Sequence, residues 1–200
     1  MGTQLTLDHS PRFTKGQVMK TLIVCALIAA SAAAAAQETR REVTLASKNA
    51  ADDRRANSDA VPAVQSFDAT IQRVVILRFK FDTDLLAGLQ AAIREHKIRN
   101  AVILSGFGSV RSYQVHQVSN RDLPPKEFMV KNPSAPADII SMSGIVMNGR
   151  VHPHMTLANA DRAFGGHLEP DTRVFTFAVI TLGVLDDPLD LSRLDDWNDR

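Results

Sequence analysis

Six segments with the composition of β-strands, and one with the pattern of a helix, limit what this 200-residue chain can fold into. The strand-like segments are rich in β-branched and aromatic residues, and the first alternates apolar and charged residues between Leu77 and Phe81. They span residues 71–81, 101–104, 110–118, 138–147, 150–158 and 174–182. The helical pattern follows the N-cap candidates at 82–84 and ends near Lys97. A chain of this length holds one domain of ordinary size, so we predict a single α/β (α+β) domain.

Glycine and proline residues predict where the strands are interrupted. Residues 105–109 read Ser-Gly-Phe-Gly-Ser and predict a tight turn after a buried strand. This is not a phosphate-binding loop, because it lacks the lysine of such loops and leads into a strand instead of a helix. Four prolines between positions 124 and 136 predict a loop without regular structure. Asn148–Gly149 joins the two strands around it as an antiparallel hairpin.

The N-terminal 36 residues have the composition of an export signal. Met19–Lys20 supplies a charged start, residues 21–30 form an apolar run, and 31–36 are small residues suited to cleavage after Ala36. The alternative is a membrane anchor, but the apolar run is shorter than the roughly 20 residues that cross a bilayer. We therefore expect a periplasmic or secreted protein with no transmembrane segment in the mature chain.

The segments outside the strands are assigned by composition. Residues 1–18 are an upstream extension, so we expect translation to start at Met19. Residues 37–69 are polar, show no sustained period and predict a flexible leader. The domain then spans 70–185, and 186–200 form a peripheral acidic tail. Cleavage would remove Cys25, the only cysteine, and with it any disulfide or thiol chemistry.

The most informative stretch for function contains three of the six histidines. His152 and His154 are two residues apart, so on a strand both imidazoles project from one face and reach one ion. A turn at Gly165–Gly166 could bring His167 back over that strand. The three nitrogens would form a metal site with an open position, as in zinc sites that activate water.

Two explanations of these histidines stay open. They bind a metal ion, or they make local hydrogen bonds at a strand end or a subunit interface. With no cysteine ligand left after cleavage, zinc is favoured over nickel or copper, and Asp161 or Glu169 are candidates for hydrogen-bond partners of the ligands. Ser105 and Ser109 have no base beside them in the sequence, so no catalytic residue is assigned.

The motifs at 104–110, 143–146, 152–158 and 165–168 together resemble those of the plants-and-prokaryotes-conserved (PPC) family. The resemblance covers roughly residues 70–185. It implies a mixed, largely antiparallel sheet flanked by helices, assembly into homotrimers, and correspondence of His152, His154 and His167 to the family's histidine positions.

The PPC resemblance also implies a DNA-binding hypothesis, because bacterial members commonly carry that label. The formal charge of +1 is spread along the chain and there is no basic arm, so nucleic acid is an unexpected partner, all the more for an exported protein. Our leading hypothesis is an exported, trimeric, non-enzymatic module that binds a small ligand or a metal ion. The alternatives are DNA binding and a metal-dependent hydrolase or lyase.

Overall fold

The computed structural model of the chain describes residues 40–45, 59–186 and 188–195. The predicted signal at 19–36, the upstream extension and Cys25 lie outside these ranges. Among the described residues, no helix has the length and apolar character that crossing a membrane requires.

Eight strands and one helix make up the regular structure of the described residues. The strands are β1 Arg40–Leu45, β2 Ile71–Lys80, β3 Ala101–Val118, β4 Lys126–Asn132, β5 Ala137–Met147, β6 Arg150–Ala158, β7 Ala163–Leu168 and β8 Arg173–Leu185. The helix, α1, spans Leu85–Glu95. The helix and the strands predicted at 71–81, 138–147, 150–158 and 174–182 are therefore confirmed with small shifts of their ends.

All strand pairs in the described sheet are antiparallel. β3 pairs with β5, β5 with β6, β6 with β7, and β7 again with β3, so these four strands close into a ring. β4 and β8 also pair with β3, β1 with β4, and β2 with β8. The largely antiparallel sheet that the family resemblance implies is confirmed. Among the described residues one short helix flanks it, where the resemblance implied several.

The helix covers one side of the sheet and completes the core. Asp84 is its N-cap, and the Asp84 carboxylate accepts a hydrogen bond of 2.9 Å from the backbone N–H of Ala87. Leu85, Leu89 and Ile93 recur at helical spacing and are buried. They join a core to which every strand from β2 to β8 contributes apolar side chains.

Strand β3 runs without interruption through the glycines that predicted a turn, so the turn at 105–109 is wrong. A Cβ at Gly106 would collide with the side chain of Met142, and a Cβ at Gly108, where φ is +141°, would collide with the Phe177 carbonyl oxygen. The pairing of β3 with β8 shifts register between Gly108 and Val110. The glycines thus permit close strand approach and a bulge, which bends β3 enough to pair with different strands along its length.

Two strands, β1 and β4, lie where the sequence predicts no regular structure. The prolines bracket β4 instead of interrupting it, since Pro125 precedes the strand and Pro133 follows it. β4 pairs with the C-terminal part of β3, and β1 pairs with β4. Their backbone hydrogen bonds come from distant partners, which a local period does not reveal.

Residues 188–195 of the predicted acidic tail pack against the domain, contrary to the prediction that the tail is peripheral. Leu191 is 2% exposed and packs with Met147 and Leu185. The side chain of the fully buried Asn100 links this segment to the sheet, because its amide nitrogen donates to the Leu189 carbonyl at 2.6 Å and its oxygen accepts from the Asn148 N–H at 3.0 Å. The tail is therefore held by apolar contacts and by a satisfied buried amide.

Replacing Leu191 with alanine tests this docking. We expect a loss of about 2 kcal/mol in the free energy of unfolding, because a buried leucine is truncated. Leu194→Ala on the same tail is the matched control: Leu194 is 41% exposed, so its truncation should change stability little. Urea unfolding of both variants measures the difference, and equal stabilities would contradict the packed tail.

Candidate metal centre

Strand pairing brings four histidines together on the outer face of the ring. His154 on β6 lies opposite His167 on β7, and His167 lies opposite His116 on β3. His152 is two residues before His154, so its side chain projects from the same face. The buried neighbours Val115, Met155 and Leu168 point the other way, into the core.

The three predicted histidines, His152, His154 and His167, are in contact. The Nε2 atoms of His152 and His154 are 3.1 Å apart. The ring of His167 lies 4.7 Å from that of His152 and 5.4 Å from that of His154, edge-on to both. The turn predicted at Gly165–Gly166 is nevertheless wrong. These glycines lie within β7, and the chain reverses at 159–162.

His116 and Glu169 also belong to the cluster, and sequence reasoning did not assign them as ligands. The Nδ1 atom of His116 is 2.5 Å from Glu169 Oε1, and its ring stacks on that of His167 at 4.6 Å. One ligand atom from each of His116, His167 and Glu169 can be chosen so that all lie within 4.8 Å of one another. Glu169 could have been predicted as a ligand because it lies two residues after His167 in the sequence. His116 is about 50 residues away from His167, and the β3–β7 pairing places the two side by side.

Among the described residues, one buried nitrogen of the cluster lacks a hydrogen-bond partner. His167 Nδ1 is buried, and although it lies 3.4 Å from Glu169 Oε1, the contact does not form a hydrogen bond with the described residues. Buried polar atoms are normally satisfied by protein, water or an ion. An unpaired imidazole nitrogen among three other imidazoles and a carboxylate fits a metal ion.

Carboxylates approach three of the four imidazoles. Asp195 Oδ2 lies 3.1 Å from His152 Nδ1, and Glu127 Oε1 lies 3.4 Å from His116 Nε2. When a carboxylate accepts a hydrogen bond from one ring nitrogen of a neutral histidine, the other nitrogen keeps a free lone pair. Metal-bound histidines usually have such a carboxylate partner. Asp195, on the tail, therefore orients the His152 ring. Asp161, the other acidic candidate from the sequence, lies in the β6–β7 turn and is absent from this group.

Contacts within the cluster, together with burial, shift the pKa values of His116, His154 and Glu169. The hydrogen bond with Glu169 raises the pKa of His116 despite partial burial. Burial lowers the pKa of His154, and the neighbouring histidines lower it further. Burial alone would raise the pKa of Glu169, but its contacts with His116 and His167 outweigh burial and lower the pKa to about 2. His154 is thus kept neutral and Glu169 ionised, which are the forms that bind metal ions.

The donor set consists of imidazole nitrogens and carboxylate oxygens, with no thiolate. Such ligands suit zinc, copper, nickel and iron better than magnesium or calcium, which prefer oxygen ligands alone. The chemistry open to this arrangement is therefore binding of a divalent transition-metal ion.

The fold agrees with the comparisons with known proteins. A family model described as the Plants and Prokaryotes Conserved (PCC, also written PPC) domain matches residues 67–186. The chain belongs to the PPC family. The resemblance predicted from the motifs is thereby confirmed.

Two solved structures share the PPC fold. A metal-containing protein from Archaeoglobus fulgidus is 25% identical, with a TM-score of 0.52 and a match covering 60% of this chain and 86% of that one. A PPC protein from Pyrococcus horikoshii is 20% identical, with a TM-score of 0.52 and coverage of 62% and 86%. The second likeness shows the fold alone.

One curated relative matches part of the PPC chain. The bifunctional protein GlmU of a Synechococcus strain is 27% identical over 129 residues, which is 64% of this chain. The match spans only 20% of the length of that relative.

The pKa values of His116 and Glu169 predict how the stability of the metal-free protein depends on pH. The depressed pKa of Glu169 contributes stability that is full above about pH 4.5 and lost as the pH falls toward 2. The raised pKa of His116 contributes stability that is full below pH 6.5 and lost as the pH rises through its folded value. Urea unfolding of wild type and Glu169→Gln should therefore differ most near pH 5.5 and less at pH 3 and pH 8. A difference that does not vary with pH would contradict the ion pair.

Proposed function

We propose that this PPC protein is a metal-binding module, not an enzyme, in which His152, His154 and His167 hold a divalent transition-metal ion, zinc in preference to nickel or copper. His116 and Glu169 supply two further donors beside His167. When bound, the ion would act as a Lewis acid with an open position for a small ligand.

The observation that carries this proposal is the pair of Nε2 atoms 3.1 Å apart on His152 and His154. Asp195 accepts at Nδ1 of His152, so the proton of that ring is held at Nδ1 and its Nε2 presents a lone pair. Ligand nitrogens of one tetrahedral zinc ion, at about 2.0–2.1 Å from the metal, are separated by a similar distance. One of these nitrogens donates to the other, and with the His152 proton at Nδ1 the donor is Nε2–H of His154. Release of that proton on metal binding would leave both nitrogens facing one ion.

Two further findings support the metal proposal. The buried Nδ1 of His167 has no hydrogen-bond partner among the described residues. The Archaeoglobus relative is described as metal-containing. The alternative functions are DNA binding and a metal-dependent hydrolase or lyase, and no contact among the described residues favours either of them.

Substitution of His154 tests the site. His154→Ala should weaken zinc binding by at least about tenfold, because one of two facing ligands is removed. His96→Ala is the matched control, since His96 is an exposed histidine at the end of α1 and outside the cluster. Isothermal titration calorimetry with the metal-free proteins measures both affinities. Equal zinc affinity in the two variants would refute the His152–His154 site.

We further propose assembly into a homotrimer through an exposed apolar face of the sheet. Ile76 and Val74 on β2, Leu104 and Phe107 on β3, and Phe177 on β8 are between 36% and 69% exposed. Val179 on β8 lies opposite Phe107 on β3 and opposite Arg78 on β2, and the Arg78 guanidinium lies over the Phe177 ring. The exposed apolar residues therefore lie on three adjacent strands, around Arg78. An apolar face of this kind on a folded domain is typical of a protein interface.

A charge placed on this face should disrupt assembly. Ile76→Glu is expected to convert the trimer to monomers, because it would bury an unpaired carboxylate in the interface. Val64→Glu makes the same change at an 80% exposed position outside the face and should leave the assembly intact. Sedimentation equilibrium reports the mass of each variant, and a trimer that survives Ile76→Glu would exclude this face as the interface.

Export to the periplasm or the medium belongs to the same proposal and rests on the composition of residues 19–36 alone. N-terminal sequencing of the mature protein should find Gln37 first. A mature chain that keeps residues 19–36 would contradict export by cleavage.

A further inference from the structure

A polar cleft of about 300 Å³ opens next to the histidine cluster. Its lining consists of Ser141, Ser143, His154, Met155, Thr156, Gly165 and Gly166. The volume is at the lower end of the range for small-molecule sites. The cleft shares His154 with the metal centre, so a molecule bound in it would lie beside the proposed ion.

The strand register determines the positions of the hydroxyl groups in the cleft. Ser143 on β5 lies opposite His154 on β6, which lies opposite His167 on β7. The neighbouring row consists of Ser141 and Thr156, followed by Gly165. Side chains two residues apart on a strand share a face, so the hydroxyls and the imidazoles project to the same side.

The hydroxyls of Ser141, Ser143 and Thr156 are available to a ligand. None of them makes a side-chain hydrogen bond to the residues that the structure describes. At Gly165, a Cβ would collide with the carbonyl oxygen of Met155, so this position stays without a side chain and the cleft stays open beside Thr156. The cleft therefore offers three hydroxyl donors that have no side-chain hydrogen bond among the described residues.

The distribution of charge in the cluster favours an anion in this cleft. Within the described chain, carboxylates lie against His116, His152 and His167, but none lies within ion-pair distance of His154. The lining of the cleft contains no acidic residue. A ligand that enters there meets hydroxyl donors, an imidazole and the positive charge of the ion, which together stabilise negatively charged oxygen atoms.

We propose that this cleft binds a small oxyanion, a carboxylate or a phosphate, which takes the open position of the ion beside His154 and accepts hydrogen bonds from Ser141, Ser143 and Thr156. The inference rests on the proposed metal-binding function and names the class of small ligand for it. The oxyanion replaces a solvent ligand of the ion, so no covalent or redox step is required.

Cobalt provides the test, because its visible absorption reports changes in coordination. The Co²⁺-loaded protein is titrated with inorganic phosphate and, separately, with lactate. We expect a saturable spectral change with at least one of them, and the stronger binder identifies the phosphate or the carboxylate class. In a combined Ser141→Ala, Ser143→Ala and Thr156→Val variant the dissociation constant should rise at least about tenfold, because hydrogen bonds to a charged ligand are lost.

The controls separate this inference from the metal proposal. Ser105→Ala removes an exposed hydroxyl on β3 outside the cleft and should leave anion binding unchanged. Co²⁺ affinity and the circular dichroism spectrum of the combined variant should match those of wild type. If Co²⁺ binds but neither anion changes the spectrum, or if the combined variant binds them as wild type does, the cleft inference is overturned while metal binding stands. If Co²⁺ does not bind, both proposals fail.

Discussion

The pairing of β7 between β6 and β3 is the interaction on which the candidate site depends. It closes the four-stranded ring, and its register places His167 opposite His154 on one side and His116 on the other. The same register gives the face two rows, one with Ser143 beside the imidazoles of His154, His167 and His116, and one with Ser141, Thr156 and Gly165. A slip of one residue would turn every β7 side chain to the opposite face, so the buried Leu168 fixes the position of His167 through the core.

The site combines rigid strands with charged groups that come from elsewhere in the chain. His152 and His154 lie on β6, while Asp195 reaches His152 from the docked tail and Glu127 reaches His116 from β4. Packing of Leu191 and the hydrogen bonds of Asn100 hold the tail that carries Asp195. The orientation of the His152 ring is therefore linked to packing in a second small core.

The sequence predicted those features of the fold that depend on residues close together in the chain. Helix α1 has its N-cap Asp84 and its apolar spacing, and the histidines at spacing two share a face, as expected. Strand β4 and the His116–Glu169 contact were not predicted, because both depend on pairing between segments far apart in sequence. The glycine-rich sequence at 105–109 is compatible both with a turn and with a bent strand. Only the strands that pair with β3 distinguish the two structures.

The metal-binding proposal and the cleft inference both depend on binding of a transition-metal ion by the histidine cluster. X-ray absorption spectroscopy at the zinc edge of the zinc-loaded protein can detect this binding, since the fine structure distinguishes imidazole from water and carboxylate ligands. We predict at least two, and with His167 three, imidazole ligands at about 2.0–2.1 Å and no sulfur. A shell of oxygen atoms alone, with no imidazole scattering, would contradict binding by the histidine cluster.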